Sequence, residues 1–308
     1  MIVPQPSALP VIVCGANGAL GRLILHQLSL RGASIRAVVR KGSKAPLPAL
    51  ANLSTIHVDY NDRESLRAAC MGGSCVVSAL SGLEDVIVGV QSRLLAAAMD
   101  AGVPRFIPSD YCIDYTKLTA GHNRNLDLRR RFALQLDAAS IRGTSILNGM
   151  FSDLLTGQAP LVLRKQRRIL YWGNADQPLD FTTMENTAAY TAAAALDDTA
   201  PRFLRIAGDV LSIRELKESA QAATGEQFRL LRAGGLGVLR TMIKMTRFFA
   251  PARKEVFPPW QGMQYLRDML SGEGKLDRLD NSRYTDLTWT SVRQVLQEAF
   301  SKNETAQS

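Results

Sequence analysis

The chain has few of the residues that build disulfide frameworks and metal sites. Among its 308 residues there are four cysteines and three histidines. The cysteines, Cys14, Cys70, Cys75 and Cys112, form no Cys-x-x-Cys pair of the kind found in zinc and redox sites. We therefore expect four buried, reduced thiols and no metal site.

Long apolar runs are absent as well. The first run, VIVCGA from residue 11, is interrupted by glycine after a few residues, and the opening stretch MIVPQPSALP carries no basic segment. A membrane-spanning helix needs about 20 predominantly apolar residues, and a secretory signal needs a positively charged start. The sequence thus predicts no membrane span and a cytoplasmic location.

An excess of acidic charge is also lacking, since the formal net charge is +9. A basic surface is typical of proteins that bind nucleic acid. However, the dense basic clusters are only RRR at residues 129–131 and RKQRR at residues 164–168, and no known nucleic-acid-binding motif accompanies them. Nucleic-acid binding is therefore not expected, and the clusters indicate solvated faces or contacts with a small anionic ligand.

What the first half does contain is a regular alternation of strand-like and helix-like segments. This alternation is typical of βαβ units, which build a parallel sheet. The six predicted strands are, in order, LPVIVCGA, SIRAVVR, STIHVDY, SCVVSAL, RFIPSD and GTSILNGMF. The predicted fold class is therefore α/β, a Rossmann-type doubly wound parallel sheet with a smaller C-terminal substrate lobe.

The same pattern suggests the domain organisation. We predict a first domain over residues 1–157, with residues 180–208 returning to its sheet because they read as a strand, an alanine-rich helix and another strand. Residues 158–308 form the smaller, mixed lobe. Within that lobe, Ser212 and Glu215 have the spacing of a capping box that opens a helix.

A glycine triplet separates the first strand from the first helix. In GANGALG, Gly15 permits a tight turn, Gly18 lets the backbone approach a pyrophosphate, and Gly21 lets the helix pack closely on the sheet. The helix N-terminus then lies next to the negative charge. Because a strand precedes the triplet and a helix follows it, the triplet predicts dinucleotide binding. The expected contacts are Gly15, Asn17, Gly18, Ala19, Leu20 and Gly21.

The end of the second strand indicates which dinucleotide is bound. At this position an acidic residue selects NAD, whereas a basic one accommodates the 2′-phosphate of NADP. Here Arg40 can hold a phosphate through two parallel hydrogen bonds, and Lys41 or Lys44 can add charge. NADP(H) is therefore the predicted cofactor, with an exposed basic loop as the alternative. Further cofactor contacts are expected at Asp59, Tyr60, Ala79, Leu80 and Ser81.

A Tyr-x-x-x-Lys pair, which transfers protons in many nicotinamide enzymes of this fold, is absent. None of the seven tyrosines is followed by a lysine four residues later. One helical turn would place such a lysine beside the phenol and lower the pKa of that phenol. The sequence therefore gives no support to this proton relay.

Several motifs taken together resemble a known family. GANGALG, Arg40, VDYNDRESLRAA, RFIPSDY and TSILNGMF are similar to the NmrA-like group of atypical short-chain dehydrogenase/reductases, which includes the isoflavone reductase-like enzymes. The resemblance covers the chain well from Pro10 to Gly208 and only loosely beyond. It implies a Rossmann domain, NADP(H), and a cleft for a substrate or partner between that domain and a smaller C-terminal lobe.

The resemblance also implies a proton-transferring lysine on the helix before the sixth strand. The matching positions here are Arg129 or Arg131. Arginine stays protonated, so it can orient or stabilise an anion but cannot act as a general base. The family's proton transfer is therefore not expected at this position, whereas hydride transfer is unaffected because the cofactor carries it.

The loop after the fifth strand, PSDYCIDYTK, supplies the remaining candidate proton donors. Tyr115 and Lys117 are the predicted catalytic residues, with structural packing as the alternative role. Substrate contacts are expected from strand ends and from an aromatic pair in the C-terminal lobe. These predicted contacts are Ser109, Tyr111, Asn148, Met150, Phe151, Trp260 and Tyr265.

Two functions from different classes follow. The first is an NADPH-dependent oxidoreductase that transfers hydride to a small apolar or aromatic carbonyl, enone or quinone, with Tyr115, Lys117 or water supplying the proton. The second, which the resemblance implies, is a non-catalytic NADP(H)-binding redox sensor that regulates a protein partner. The expected partner is a small-molecule substrate, or a protein in the case of a sensor, and the chain is expected to be a monomer or a homodimer.

Overall fold

The computed structural model describes residues 9–305, and side chains as far as residue 301. Residues 1–8, which carry most of the opening stretch that predicts the absence of a signal peptide, lie outside the described residues. The chain forms two compact units. The first unit comprises Met1–Tyr111, Leu128–Ile146 and Thr187–Leu204, and the second comprises Cys112–Asp127, Leu147–Asn186 and Arg205–Ser308.

A six-stranded parallel sheet forms the centre of the first unit. Its strands are β1 (Val11–Cys14), β2 (Ile35–Arg40), β3 (Leu53–Val58), β4 (Cys75–Ser78), β5 (Arg105–Ile107) and β6 (Arg142–Gly143). They lie side by side in the order β3-β2-β1-β4-β5-β6. The order reverses between β1 and β4, and in such sheets ligands bind outside the carboxyl ends of the strands at that point. This is the Rossmann order, and it confirms the predicted α/β class with a Rossmann-type doubly wound parallel sheet.

The apolar strand sequences are buried beneath helices. These helices are α1 (Ala19–Leu30), α2 (Arg63–Cys70), α3 (Gln91–Asp100) and α4 (Arg124–Asp137). Every residue of β1 is fully buried, and Leu66 of α2, Leu94 of α3 and Phe132 of α4 pack in one cluster with Ile12. A parallel strand covered by helices needs an almost continuous apolar sequence. That requirement is why these strands are recognisable in the sequence.

The predicted sixth strand, GTSILNGMF, is not one strand. It is divided into β6, β7 (Ser145–Leu147) and β8 (Met150–Phe151), which pair with different partners. Gly149 has a φ of 69°, and a Cβ there would lie 2.3 Å from the Asp180 carbonyl oxygen. Of the predicted strand only Gly143 belongs to the parallel sheet, since Ser145–Leu147 and Met150–Phe151 pair with other strands, and the chain turns at Gly149 between these two segments. The single-strand prediction is wrong.

Small sheets and five further α-helices complete the described part of the chain, together with short 3-10 turns. The strands are β9 (Val162–Leu163), β10 (Arg168–Tyr171), β11 (Leu179–Thr182), β12 (Phe203–Arg205), β13 (Asp209–Leu211) and β14 (Arg229–Arg232). They form the groups β14-β10-β9, β13-β11-β8 and β12-β7. The helices are α5 (Met184–Leu196), α6 (Ile213–Thr224), α7 (Leu236–Phe249), α8 (Pro259–Leu270) and α9 (Val292–Thr305). The predicted capping box is confirmed at the start of α6, where the side chains of Ser212 and Glu215 each accept a hydrogen bond from the other's backbone N–H.

The two units divide the chain differently from the predicted domains. The prediction placed one boundary at residue 157, with residues 180–208 returning to the parallel sheet. In the structure Thr187–Leu204 of that stretch belongs to the first unit, but the strands of the stretch pair outside the parallel sheet, β11 with β8 and β13, and β12 with β7. The reason is that the chain leaves the parallel sheet directly after β6. The strands β7 and β8 then pair with these later strands. The units are also of comparable length, whereas the C-terminal lobe was expected to be the smaller.

Three features that the sequence predicted to be absent or inert can be examined in residues 9–305: membrane-spanning helices, metal sites and the cysteines. No helix in this range is both long and apolar enough to cross a bilayer. Nor does the described part of the chain bring together three side chains of the metal-binding types. All four cysteines are buried and form no disulfide among the described residues, and burial raises the pKa of Cys14, Cys70 and Cys75 above the ordinary thiol value.

Candidate functional site

The turn after β1 has no room for side chains. Gly15 has a φ of 78°, and a Cβ there would lie 2.5 Å from the Ala79 carbonyl oxygen. A Cβ on Gly21 would lie 2.2 Å from the Gly15 carbonyl oxygen. Such distances are far below van der Waals contact. Position 15 therefore requires glycine because of its φ and because of the nearby loop after β4. Gly21 allows α1 to pack closely against the preceding glycine turn rather than directly on the sheet.

The first turn of α1 is open to an anion. Gly18 is the N-cap residue, so no side chain caps the helix, and the first turn contains no acidic residue. The first N–H groups of a helix have no partner within that helix, and they carry the positive end of its dipole. In addition, Asn17 Oδ1 and Ser78 Oγ are buried without a hydrogen-bond partner in the described part of the chain. The residues present thus fit a bound phosphate group.

Two side chains connect this turn to the loop after β2. Asn17 Nδ2 donates a hydrogen bond to Ser43 Oγ at 3.1 Å. Arg22 Nε donates to the Asn17 carbonyl oxygen at 3.2 Å, and Arg22 Nη2 donates to the Pro46 carbonyl oxygen. Arg22 was missed by the sequence analysis because its role depends on a carbonyl group that is distant in sequence. It holds the loop after β2 beside the glycine turn.

Arg40 and Lys41 stand at the end of β2 with exposed side chains. Within the described residues neither forms an ion pair. The Lys41 backbone N–H donates to the Val58 carbonyl oxygen at 2.7 Å, which fixes the start of the loop. Two positive charges without acidic partners therefore remain at the position where a 2′-phosphate is expected.

The residues after β3 differ in their surroundings. Asp59 is exposed, and its Oδ1 accepts a hydrogen bond from the Asn61 N–H at 2.9 Å. The ring of Tyr60 packs against the core, and its hydroxyl donates to the Val38 carbonyl oxygen at 3.4 Å. Burial raises the pKa of Tyr60 well above its ordinary value. The Tyr60 hydroxyl is thus engaged within the fold, whereas the Asp59 side chain is accessible.

The loop after β4 is held by Ser109. The Ala79 N–H donates to the Cys14 carbonyl oxygen at 2.8 Å, and Ser81 is exposed. Ser109 Oγ donates to the Leu80 carbonyl oxygen at 2.6 Å, while the Ser109 N–H donates to Oε1 of the buried Gln91 at 3.0 Å. Ser109, predicted to contact substrate, therefore positions one of the predicted cofactor loops.

The predicted catalytic residues lie on one short 3-10 turn of the second unit, Tyr115–Lys117. Asp114 is fully buried at its start, and its Oδ1 accepts a hydrogen bond from the Thr116 N–H at 3.1 Å. Its other oxygen, Oδ2, accepts from Arg205 Nε at 2.8 Å. A buried carboxylate is stable only when paired and hydrogen-bonded, so Arg205 and Asp114 together fix this turn.

Tyr115 and Lys117 differ in what surrounds them. Tyr115 is 1% exposed. Lys117 Nζ donates to the Lys275 carbonyl oxygen at 2.7 Å and forms an ion pair with Asp277. The hydrogen bond from Lys117 lowers the pKa of Asp277. The ammonium of Lys117 is thus already committed to two acceptors.

A second ion pair lies near this turn. Lys275 pairs with Asp180, which is 4% exposed, and the Leu276 N–H donates to Asp180 Oδ2 at 2.8 Å. Burial raises the pKa of Asp180, and the hydrogen bond from Lys275 opposes that rise. A small cavity of about 10 Å³, lined in part by Asp180 and Lys275, is of the size that holds a single water. The sequence analysis missed these partners because they come from distant parts of the chain.

Of the predicted substrate residues in the second unit, Asn148 is distinctive. It is fully buried, and neither side-chain Nδ2 nor Oδ1 has a hydrogen-bond partner among the described residues. Its backbone N–H donates to the Cys112 carbonyl oxygen at 2.9 Å. Met150 is buried and Phe151 is half-buried in β8. A buried amide without partners is costly, so this group is available to a ligand or to water.

The other predicted contacts are placed separately. Tyr111 belongs to the first unit and is buried, and burial raises the pKa of its phenol. Trp260 is 2% exposed on α8, and its Nε1 donates to the Pro251 carbonyl oxygen at 3.0 Å. Tyr265, also on α8, is half-buried. The aromatic pair therefore belongs to the second unit.

The two arginines at the position of the family's lysine both lie on α4. Arg131 Nη2 forms an ion pair with Glu84 Oε1 at 2.8 Å, and both side chains are largely exposed. Arg129 is buried. An exposed ion pair contributes little to stability. Arg131 therefore has the surroundings of a surface residue.

Comparison with protein families gives one clear match. The model of the NmrA-like family matches residues 9–258. The oxidoreductase swnN of Metarhizium robertsii is 27% identical over 71% of this chain and 75% of its own length. The oxidoreductase poxI of Penicillium oxalicum is 25% identical over 74% of each chain.

Solved structures match over nearly the whole chain. An isoflavone reductase is 18% identical with a TM-score of 0.79, covering 95% of this chain and 99% of its own. AtPrR2 with NADP+ and (+)pinoresinol is 18% identical with a TM-score of 0.78, covering 96% and 100%. The Citrobacter sp. triphenylmethane reductase complexed with NADP(H) is 18% identical with a TM-score of 0.71, covering 94% and 99%. These likenesses show a shared fold.

Proposed function

This chain belongs to the NmrA-like family, and from that premise we propose that it is an NADPH-dependent oxidoreductase. Its substrate is a small apolar or aromatic carbonyl, enone or quinone. The observation that carries the proposal is the glycine turn, where no side chain fits at Gly15 or Gly21 and the first turn of α1 is uncapped. The relatives named as oxidoreductases and the structural neighbours that hold NADP(H) support it.

The residues of the first unit hold the cofactor in this proposal. The backbone N–H groups at the start of α1 bind the pyrophosphate, and Arg40 with Lys41 binds the 2′-phosphate. The loop with Ala79, Leu80 and Ser81 borders the nicotinamide half, and Ser109 fixes that loop. NADPH, when bound, supplies the hydride.

The proton comes from this chain or from water. In this proposal the phenol of Tyr115 supplies the proton, while the ammonium of Lys117 donates to Asp277 and to the Lys275 carbonyl oxygen. The ion pair between buried Asp114 and half-buried Arg205 holds the turn that carries Tyr115. Asn148 presents a buried amide that can hydrogen-bond the substrate's carbonyl oxygen.

The test is binding followed by turnover on one sample. Calorimetry measures the affinities for NADPH and NADH, and NADPH consumption is then followed against a panel of quinones, enones and aldehydes. Preferential NADPH binding with turnover supports the reductase. The absence of NADPH binding contradicts it.

A redox sensor is the second candidate function. It is favoured by the absence of a Tyr-x-x-x-Lys pair and by arginine at the position of the family's lysine. A sensor binds NADPH without consuming it and needs a protein partner. Binding without turnover across the whole panel selects this alternative.

A cytoplasmic location and a monomeric or homodimeric state remain predictions. Gel filtration measures the oligomeric state.

Tyr115→Phe tests the proton donor. We expect kcat to fall roughly 10- to 30-fold, less than the full contribution of a general acid because water replaces the phenol. The KM for NADPH should not change, because Tyr115 is not a cofactor contact. Tyr171→Phe is the matched control, since Tyr171 is also a buried tyrosine of the second unit. Equal kcat values for both variants would assign proton transfer to another group.

Asn148→Ala tests the unpartnered amide. We expect the free energy of unfolding to change by less than about 1 kcal/mol, because removing unpaired polar atoms offsets the small cavity. We also expect the KM for the carbonyl substrate to rise several-fold. The control is Asn123→Ala, because Asn123 is buried and bonded to Asp268 and Gln261, so its loss should cost roughly 2 kcal/mol or more. A similar cost for both variants in chemical denaturation would mean that the Asn148 amide is satisfied in the free protein.

A further inference from the structure

The second unit contains a basic cavity that the proposed reductase activity does not use. It has a volume of about 240 Å³ and is lined by Arg124, Arg247, Pro251, Arg253 and Trp260. These residues come from the starts of α4 and α8, the end of α7 and the loop between α7 and α8. We name it the arginine cavity. A single water molecule needs a cavity volume of only about 10–15 Å³. The arginine cavity is many times larger, so it can hold a small organic molecule.

The positive charges of the arginine cavity have no acidic partner. Arg247 and Arg253 form no hydrogen bond or ion pair within residues 9–305 as the structure describes them. No acidic residue lines the cavity. Arg247 and Arg253 are exposed, and together with Arg124 they converge on this one cavity. Such a cluster attracts a negatively charged ligand.

Arg124 is held in place by the protein backbone. Its Nη2 donates to the carbonyl oxygens of Glu255 at 2.9 Å and Val256 at 2.8 Å, and its Nε donates to Asn125 Oδ1 at 3.1 Å. Its Nη1 has no acceptor among the described residues. Burial, and then the nearby charge of Arg247, lower the pKa of Arg124. An anion between these two guanidinium groups would relieve that repulsion.

Trp260 orders the arginines. The Cζ atoms of Arg124 and Arg247 lie 4.6 Å and 5.3 Å from the centre of its ring. Guanidinium groups stacked on an indole lose less freedom when they bind a ligand, because their orientation is already restricted. Ala252, between two lining residues, has a φ of 35°, a conformation that costs free energy and is concentrated at functional sites.

We propose that the arginine cavity binds the oxyanion, phosphate or carboxylate, of a small molecule. Guanidinium groups match such oxyanions through paired, charge-assisted hydrogen bonds. A phosphate could belong to a free metabolite or to a lipid headgroup, because Phe248 and Phe249 follow Arg247 and are 79% and 75% exposed. The cavity is built from the second unit alone, so this proposal stands independently of dinucleotide binding in the first.

The experiment is calorimetric titration of the full-length protein with phenyl phosphate and with inorganic phosphate. Phenol, which has the ring without the phosphate, is the neutral control probe. We expect saturable binding of phenyl phosphate, weakened at least about tenfold by Arg247→Gln. Arg240→Gln is the matched control, since Arg240 is an exposed arginine on the same helix outside the cavity, and it should change the affinity by less than about twofold.

Two further measurements separate the alternatives. Arg40→Gln should leave phenyl phosphate binding unchanged, which distinguishes this site from the proposed NADPH site. Vesicles of phosphatidylcholine, prepared with and without phosphatidic acid, distinguish a lipid headgroup from a free metabolite. If the protein sediments only with vesicles that contain phosphatidic acid, and only when Arg247 is present, the proposal is supported with a lipid as the source of the phosphate. The proposal is overturned if neither probe binds saturably, or if Arg240→Gln or Arg40→Gln weakens binding as much as Arg247→Gln.

Discussion

Replacing Gly15 by alanine is expected to abolish measurable NADPH binding. The new Cβ would lie 2.5 Å from the Ala79 carbonyl oxygen, and alanine would have to adopt a φ of 78°. The turn and the loop after β4 must then move apart, and this displaces both the phosphate-binding N–H groups and the nicotinamide-side loop. Calorimetry with NADPH measures the loss. Thermal unfolding of the same sample shows whether the variant is folded.

Two other glycines provide controls for this prediction. Gly32 has a φ of 69° but has no atom within 4 Å of an added Cβ, so Gly32→Ala should cost only about 1–2 kcal/mol of stability and leave the affinity unchanged. At Gly18 an added Cβ would lie 3.3 Å from the Gly15 carbonyl oxygen, which requires only a small shift. Gly18→Ala should therefore stay folded and still weaken NADPH binding. Tight NADPH binding by Gly15→Ala would disprove the assigned role of the turn.

Arg40→Gln is expected to weaken NADPH binding by about 30- to 900-fold, because losing a bidentate charged contact costs roughly 2–4 kcal/mol. The affinity for NADH, which has no 2′-phosphate, should remain the same. Arg40 is exposed at the end of β2 and has no ion pair among the described residues, so its removal should not change the unfolding temperature. Calorimetry with both dinucleotides measures the ratio of affinities.

The control for Arg40 is a matched arginine elsewhere. Arg229 is also exposed, at the first residue of β14 in the second unit. Arg229→Gln removes the same charge and should leave both affinities unchanged. If it weakens NADPH binding as strongly as Arg40→Gln, the effect is one of overall charge. If Arg40→Gln weakens NADH and NADPH equally, Arg40 does not recognise the 2′-phosphate.

The sequence predicted those features that depend on neighbouring residues. The strands β1 and β4 are almost entirely apolar and fully buried because helices cover them, and a parallel strand buried in this way can be recognised from its sequence. The capping box at Ser212 and Glu215 is likewise local, and the structure contains it. The sixth strand was predicted as a single strand, whereas the structure divides it into β6, β7 and β8. Between β7 and β8 the chain turns at Gly149, whose backbone lies against Asp180, a residue 31 positions later that a local pattern does not reveal.

The candidate site shows the same distinction. Gly15, Gly18 and Gly21 were identified from their spacing after a strand. The partners of Lys117 were not, because Asp277 and Lys275 come 160 and 158 residues after it. Arg22 was also missed, since its acceptors are carbonyl groups, which every residue possesses. No sequence signal marks such partners.

By itself, the sequence determined the Rossmann-type parallel sheet, the glycine turn and the basic residue at the end of β2, because these follow from local spacing and from the alternation of buried strands and helices. Only the tertiary structure decided which charges are compensated. Lys117 is neutralised by Asp277, whereas Arg247 and Arg253 have no such partner in the described residues. The physical reason is that electrostatic interactions act through space between side chains that the fold brings together. The distance between two such side chains does not follow from their separation along the sequence.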